Sequence, residues 1–260
     1  MAKIISIVNQ KGGVGKTTSA VNLAAALGAL GKRVLLVDID PQGNTTSGYG
    51  ISRKNLAATS YEILIGSATA ASAIIPTKFQ GVDIIPSNIN LAGAELELAV
   101  IEKRETVLKN ALAPLQANYD FIFFDCPPSL GLITLNALTA SDSFLVPIQC
   151  EYYALEGLSQ LMNTIRQVKR LYNSYLELEG VLLTMFDGRL NLTQQVVGEV
   201  KRFFPQKVYA TVIPRNVRLS EAPSFGQPVF YYDKSSKGSV AYGEFTKEFL
   251  KKNGRRPKEK

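Results

Sequence analysis

The chain contains no histidine among its 260 residues, and only two cysteines and three methionines. The missing histidine excludes Ser-His-Asp triads, imidazole acid–base catalysis and every His-containing metal site at once. Cys126 and Cys150 form neither a disulfide framework nor a CxxC metal pair, and are expected as two reduced, semi-buried thiols. Long apolar runs are missing too, since none approaches the ~18 residues a bilayer span requires. The start, Met1 to Gln10, has a short apolar part that meets polar Asn9 and Gln10 instead of a small-residue cleavage site. A cytoplasmic protein is the expectation.

The formal charge is +7, but it is unevenly spread. Residues Lys251 to Lys260 hold six Lys/Arg against one Glu and so supply +5, which leaves +2 for the rest. A basic end of this kind is either a solvated tail or a nucleic-acid arm, and net charge alone does not decide between them. The expected organisation is one α/β domain over residues 1–253 followed by a basic, disordered tail at 254–260.

Short β-branched apolar runs alternate with helical patterns along the chain. Strands are expected at about 3–8, 33–38, 82–86, 121–125, 143–148, 179–185 and 208–212. Helices are expected at about 16–30, 89–100, 105–117, 130–141, 155–173, 193–204 and 239–252. Near-continuous apolar strands such as Phe121-Ile122-Phe123-Phe124 belong in a sheet covered on both faces. The alternation predicts a doubly wound, mostly parallel sheet with helices on both faces. Ligands bind such sheets beyond the carboxyl ends of the strands. Three polar clusters fall at those ends: Asn9–Thr18, Asp38–Thr46 and Asp125–Ser129.

The first cluster carries the sharpest chemistry. After the first strand the chain reads Asn9-Gln10-Lys11-Gly12-Gly13-Val14-Gly15-Lys16-Thr17-Thr18 and enters an Ala/Leu-rich helix. Three glycines let the loop turn its N–H groups around phosphate oxygens, and the helix N-terminus adds its positive dipole end. Lys16 is placed at the β- and γ-phosphates and the Thr17 hydroxyl on Mg²⁺. The loop departs from the ordinary G-x-x-x-x-G-K-[ST] pattern, with Gln10 at the first glycine position and an extra lysine, Lys11, at its start. Asp125 ends an apolar strand and suits the Mg²⁺ water shell beside Thr17. Asp40 suits the positioning or polarising of an attacking water, with Asp38 supporting the loop or the metal's surroundings.

Lys11-Gly12-Gly13-Val14-Gly15-Lys16-Thr17-Thr18, Asp38-Ile39-Asp40-Pro41 and Asp125-Cys126-Pro127-Pro128-Ser129 together resemble the deviant Walker A ATPases of the MinD/ParA superfamily. Over about residues 1–253 the chain is similar to its chromosomal ParA (Soj-type) partition branch. The resemblance implies ATP and Mg²⁺ as ligands and a homodimer that sandwiches two ATP molecules. In it Lys11 reaches the nucleotide of the partner, Lys16 holds its own, and Gly12 lies where two backbones meet closely. Pro214 and Asn216, in the segment Ile213–Ala222, are implied as contacts to the adenine.

The same resemblance implies non-specific double-stranded DNA as a partner of the ATP-bound dimer. Arg189 and Arg218 are the positions implied to contact it, with Lys201, Arg202 and Arg215 as further candidates. No recognition helix with base-reading residues is evident. A ParB-like centromere-binding partner would stimulate hydrolysis and return the dimer to monomers, so that the protein associates with the nucleoid and drives chromosome or plasmid segregation. A MinD-like membrane role is disfavoured because Lys251–Lys260 has no apolar face and is interrupted by Gly254 and Pro257. A bridging iron–sulfur cluster is disfavoured by the positions of Cys126 and Cys150. A metabolic P-loop enzyme is the remaining alternative, and no feature specifies an acceptor pocket for one.

Overall fold

The computed structural model describes residues 1–151 and 154–254, with the side chains of residues 154–157 excepted. The expected basic tail, from residue 255 on, lies outside the described residues. Seven strands form one sheet: β1 (Lys3–Ile7), β2 (Val34–Asp38), β3 (Ile75–Pro76), β4 (Val82–Ile85), β5 (Phe121–Asp125), β6 (Ser143–Gln149) and β7 (Glu177–Thr184). Their order is β3-β4-β2-β5-β1-β6-β7. Every neighbouring pair is parallel except β3 with β4.

Alternate side chains of each central strand enter two different cores. Ile5 and Ile7 of β1, Val34 and Leu36 of β2, and Phe121 and Phe123 of β5 face one side. Ile4, Leu35, Val37, Ile122 and Phe124 face the other. Helices α1 (Lys16–Ala29) and, far along the chain, α11 (Lys237–Asn253) cover the first core with Leu23, Leu27, Phe245 and Phe249. The second core is covered by α5 (Val107–Leu112), α6 (Leu132–Ala140), α7 (Ala154–Leu171) and α8 (Asn191–Phe203). The shorter helices are α2 (Asn44–Gly48), α3 (Ser60–Leu64), α4 (Ala94–Leu98), α9 (Val217–Glu221) and α10 (Val229–Tyr232). At the end of the sheet remote from the glycine loop, Lys3 Nζ donates to Glu179 at 2.5 Å and to Asn253 at 2.6 Å. That contact ties β1, β7 and the close of α11 together.

Three sequence expectations are corrected. The run at 208–212 is extended and follows β7, but it pairs only through a single bridge between Val181 and Val208. The reason is Glu248, whose carboxylate takes the N–H groups of Ala210 and Thr211, each at 2.9 Å, away from any ladder. The helix expected at 89–100 is a 3-10 turn at Ile89–Gly93 followed by α4. The helix expected at 105–117 is likewise divided, α5 giving way to a 3-10 turn that contains Pro114, whose missing N–H ends the α pattern. The antiparallel edge strand β3 and the small helices α2, α3, α9 and α10 are additions. Of these α3 had a readable start, since Thr59 and Glu62 form a capping box.

α1 lies close enough to the sheet that Gly28 has no room for a side chain. A Cβ there would sit 2.1 Å from the Gln80 carbonyl oxygen and 2.9 Å from Val82. Helix preference favours alanine over glycine by ~1 kcal/mol, but overlap with backbone outweighs it. Gly28→Ala is expected to lose about 2 kcal/mol of stability and to lower the melting temperature by roughly 4–8 °C. A thermal melt at or above wild type would show that α1 can shift outward freely.

Candidate nucleotide site

β1 ends in the middle of the sheet, and the chain leaves it through the glycine loop into α1. Gly13 and Gly15 adopt φ of 75° and 88°, a left-handed conformation that side chains with a Cβ resist. Two residues far apart in sequence pin the loop. Asn9 Nδ2 donates to the Pro147 carbonyl at 2.8 Å while its Oδ1 accepts from the Lys11 N–H at 3.0 Å. Thr184, at the end of β7, donates its hydroxyl to the Val14 carbonyl at 2.8 Å. Thr184 was missed from sequence, because nothing local marks a threonine 170 positions away as a loop support.

The two lysines of the loop point to different places. Lys16 is buried, and its Nζ donates to the Lys11 carbonyl at 3.1 Å, inside the curl of the loop. Lys11 reaches outward, its Nζ 2.9 Å from Glu151 in an exposed ion pair. A Cβ added at Gly12 would meet nothing within 4 Å, so within this chain the space beside Gly12 is open.

Beside the loop stand the strand-end carboxylates. Asp38 and Asp125 are register partners on β2 and β5. Both are buried, and Asp40 is nearly so. Thr17 and Thr45 each donate a hydroxyl to Asp125 Oδ2 at 2.7 Å. Asp125 Oδ1 is buried without a partner among the described residues. Asp38 is held by Thr46, which donates its N–H at 2.8 Å and its hydroxyl at 2.7 Å, and by the Asp40 N–H at 3.2 Å. Asp40 Oδ1 accepts from the Gln42 N–H at 2.9 Å, fixing the turn that follows β2. Thr45 and Thr46, on α2, are further site residues that sequence reading did not single out. They complete a lattice in which hydroxyls orient carboxylates.

Burial dominates the electrostatics. It pushes Asp38 up to about 7, with the neighbouring Asp125 charge adding to the effect against the Thr46 hydrogen bonds. Burial also pushes Asp125 up to about 6, opposed by the Thr45 and Thr17 hydroxyls. Lys16 is lowered by burial, against the pull of Asp125 and Asp40. Carboxylates raised in the folded state stabilise it most below their unfolded value near 3.8 and lose that contribution as pH climbs towards 7. The nucleotide-free protein is therefore expected to melt at a lower temperature at pH 8 than at pH 5.5. Asp125→Asn keeps an acceptor for Thr17 and Thr45 but cannot ionise, so its melting temperature should vary less over that range. An unchanged pH slope in the variant would remove Asp125 as a source.

One buried ammonium among three carboxylates leaves the centre short of positive charge. No group of three or more His, Cys, Asp or Glu among the described residues is arranged to cage a metal. What is present suits a hard cation held by one hydroxyl, one carboxylate and phosphate oxygens, as Mg²⁺ is in phosphate sites. The unpartnered Asp125 Oδ1 is the atom such a cation's water shell would satisfy.

Next to the loop a cavity of about 260 Å³ is lined by Gly15, Thr18, Thr184, Met185, Pro214 and Asn216, among others. Asn216 Oδ1 is buried there without a partner. Gly15 and Thr18, which also line it, join the cavity to the phosphate loop. The five basic positions fall in two groups. A bridge between Phe186 and Pro214 brings the loop carrying Arg189 alongside the segment carrying Arg215 and Arg218. Lys201 and Arg202 lie instead in the last turn of α8, ~15 Å along the helix from its start beside Arg189. The structure thus gathers three of the five basic positions and leaves two apart.

The AAA domain family matches residues 2–178. The sporulation initiation inhibitor protein Soj of Bacillus subtilis (strain 168) is 59% identical over 248 residues, spanning 95% of this chain and 98% of its own length. The chain belongs to the ParA/Soj family of partitioning ATPases. The chromosome partitioning protein ParA of Myxococcus xanthus (strain DK1622) is 53% identical over 253 residues, 97% of this chain and 89% of that protein. Among solved structures, a cobyrinic acid a,c-diamide synthase from Mycobacterium smegmatis, with bound ATP analogue and magnesium, superposes with a TM-score of 0.86 at 38% identity. It covers 98% of this chain and 97% of that one. Among the described residues no helix is long and apolar enough to cross a membrane.

Proposed function

We propose that this ParA/Soj ATPase uses ATP as a dimerisation switch and binds DNA non-specifically as the ATP-bound dimer. The observation that carries the reading is the divergence of the two loop lysines. Lys16 is buried in its own cradle, whereas Lys11 extends outward beside the open space at Gly12. A cation aimed away from its own cradle can serve a nucleotide bound by a second copy. Its pair with Glu151 is no obstacle, since exposed ion pairs contribute about 1 kcal/mol or less.

In this reading ATP lies with its phosphates on the N–H groups of Lys11–Thr18 and its base in the cavity beside Pro214 and Asn216. Thr17 and Asp125 would hold Mg²⁺, which when bound neutralises charge on the phosphate oxygens. Lys16 and the partner's Lys11 bring cations to the phosphoryl group in transfer, and Asp40 orients the attacking water. Requiring a cation from the second subunit ties hydrolysis to assembly. The dimer then presents two sets of Arg189, Arg215 and Arg218 to duplex phosphates. Lys201 and Arg202 are secondary contacts at most, given their place on α8. Stimulated by a ParB-like centromere-binding protein, hydrolysis releases DNA-free monomers and moves a chromosomal or plasmid cargo on the nucleoid.

The test combines two ATPase rates with one sedimentation series. A slow basal ATPase should rise when duplex DNA and a ParB-like N-terminal peptide are added together. Dimer should form with Mg²⁺-ATP but not with Mg²⁺-ADP. The similarity to the Mycobacterium smegmatis structure favours, as a second reading, an enzyme that activates a small acceptor. Stoichiometric product from such an acceptor, with no response to DNA, would support that reading and displace partition.

A further inference from the structure

The arginines gathered beside the base cavity are not free. Arg189 is largely exposed, at 88%, yet its guanidinium grips Asp187, with Nε 2.9 Å from Oδ1 and a terminal nitrogen 2.6 Å from Oδ2. Arg218 is held from two sides, at 2.7 Å by Glu221 and at 3.3 Å by Asp233. Hydrogen bonds from the Arg189 side chain and N–H hold the Asp187 carboxyl down to about 2, and the charge of Arg215, across the Phe186–Pro214 bridge, adds to the effect. Three carboxylates are thus interleaved with three arginines on one surface.

These carboxylates have little structural work that needs their charge. Asp187 accepts the Arg189 N–H at 3.2 Å, a turn contact an amide oxygen can replace. Glu221 accepts from the Tyr232 hydroxyl at 3.3 Å. Asp233 Oδ1 accepts from Ser235 and Ser236 while its other oxygen faces Arg218. Apart from the ion pairs to the arginines, each of these bonds can be accepted by the amide oxygen of Asn or Gln. A patch selected only for attraction to phosphate has no use for negative charge at its centre, because carboxylates repel the phosphates that the arginines recruit.

We propose that Asp187, Glu221 and Asp233 are built-in competitors for the DNA backbone, which lower the affinity of the arginine surface to a level at which DNA can be released. The inference rests on the DNA-binding reading above and adds its regulation. Each phosphate that engages Arg189 or Arg218 must displace a carboxylate of the same chain. Single copies then bind DNA weakly, and stable attachment needs the doubled surface of a dimer. Two copies contributing the same weakened patch gain from effective concentration what each lacks alone. Release upon monomerisation follows from the same arithmetic.

The test is a gain of function, which a misfolded protein does not deliver. Asp187→Asn, and separately the pair Glu221→Gln with Asp233→Asn, are assayed with a fluorescent random-sequence duplex in Mg²⁺-ATP. Each is expected to tighten binding roughly three- to tenfold, as loss of one or two exposed ion pairs allows. ATPase rate without DNA and the ATP-dependent monomer–dimer balance should match wild type. The monomer in ADP should begin to retain duplex that the wild type lets go. Arg189→Glu, with the carboxylates left in place, should dimerise yet lose the duplex. Unchanged or weaker affinity in both neutralised variants, with dimerisation intact and wild type binding normally, overturns the proposal and leaves the DNA reading standing. A wild-type dimer that ignores the duplex overturns both.

Discussion

Lys16→Ala is expected to bind no measurable ATP and to stay monomeric in saturating Mg²⁺-ATP. The wild-type ammonium lies within a loop carbonyl's reach and feels both Asp125 and Asp40. It is the one cation among the described residues that neutralises this centre from within its own cradle. Without it a Mg²⁺-bound triphosphate would meet Asp38, Asp40 and Asp125 with backbone N–H groups and no side-chain cation of its own cradle. Removing one partner from a buried charge pair costs about 3–5 kcal/mol, which corresponds to a loss of two to more than three orders of magnitude in affinity. The fold itself should survive, because the lysine stem packs at the helix start and bridges no two layers of the core. Circular dichroism and a melt on the free variant check that point. Sedimentation in ATP checks the rest, and a dimer at wild-type ATP concentration would mean that Lys16 does not hold the phosphates.

The parts of this architecture written locally in the chain were legible from it. Gly15, Lys16 and Thr17 at a strand-to-helix junction predict a phosphate cradle because the loop geometry and the helix dipole are consequences of neighbouring residues. Asp38 and Asp125 could be placed at strand ends because the apolar runs before them are strands in any parallel sheet. Their adjacency, by contrast, comes from strand order: β5 inserts between β2 and β1, which no local pattern dictates. The supporting hydroxyls of Thr45, Thr46 and Thr184 were invisible for the same reason. Each is an ordinary threonine until tertiary structure sets it 2.7–2.8 Å from its acceptor. The extended run at 208–212 misled in the opposite way. Its β propensity is real, but Glu248 on α11 satisfies the amides that a neighbouring strand would need. The ion pairs of Arg189 and Arg218 lie between these cases. Asp187 and Glu221 are close in sequence to the arginines they neutralise, and charge patterning read with the loops in mind could have found them.

Asp40→Ala is expected to do the reverse of Lys16→Ala: an ATP-bound dimer should accumulate that hydrolyses at least a hundredfold more slowly. A positioned carboxylate acting on an attacking water contributes typically 10²–10⁴ in rate. Nothing in the phosphate cradle depends on it. Lys16, Thr17 and Asp125 keep their contacts, and the turn after β2 retains the Gly43 N–H on the Asp40 carbonyl at 2.9 Å. The lost bond is the one from the Gln42 N–H, worth about 1 kcal/mol of local stability. Removing a carboxylate that also feels Lys16 and Asp125 should ease the approach of a triphosphate, so ATP affinity holds or rises. The trapped state should show as a dimer in sedimentation, persistent on duplex DNA, that a ParB-like peptide no longer dissolves. Monomer in saturating ATP would assign Asp40 to nucleotide binding instead of water positioning. Hydrolysis at the wild-type rate would move the catalytic carboxylate elsewhere in the lattice, with Asp38 the next residue to replace.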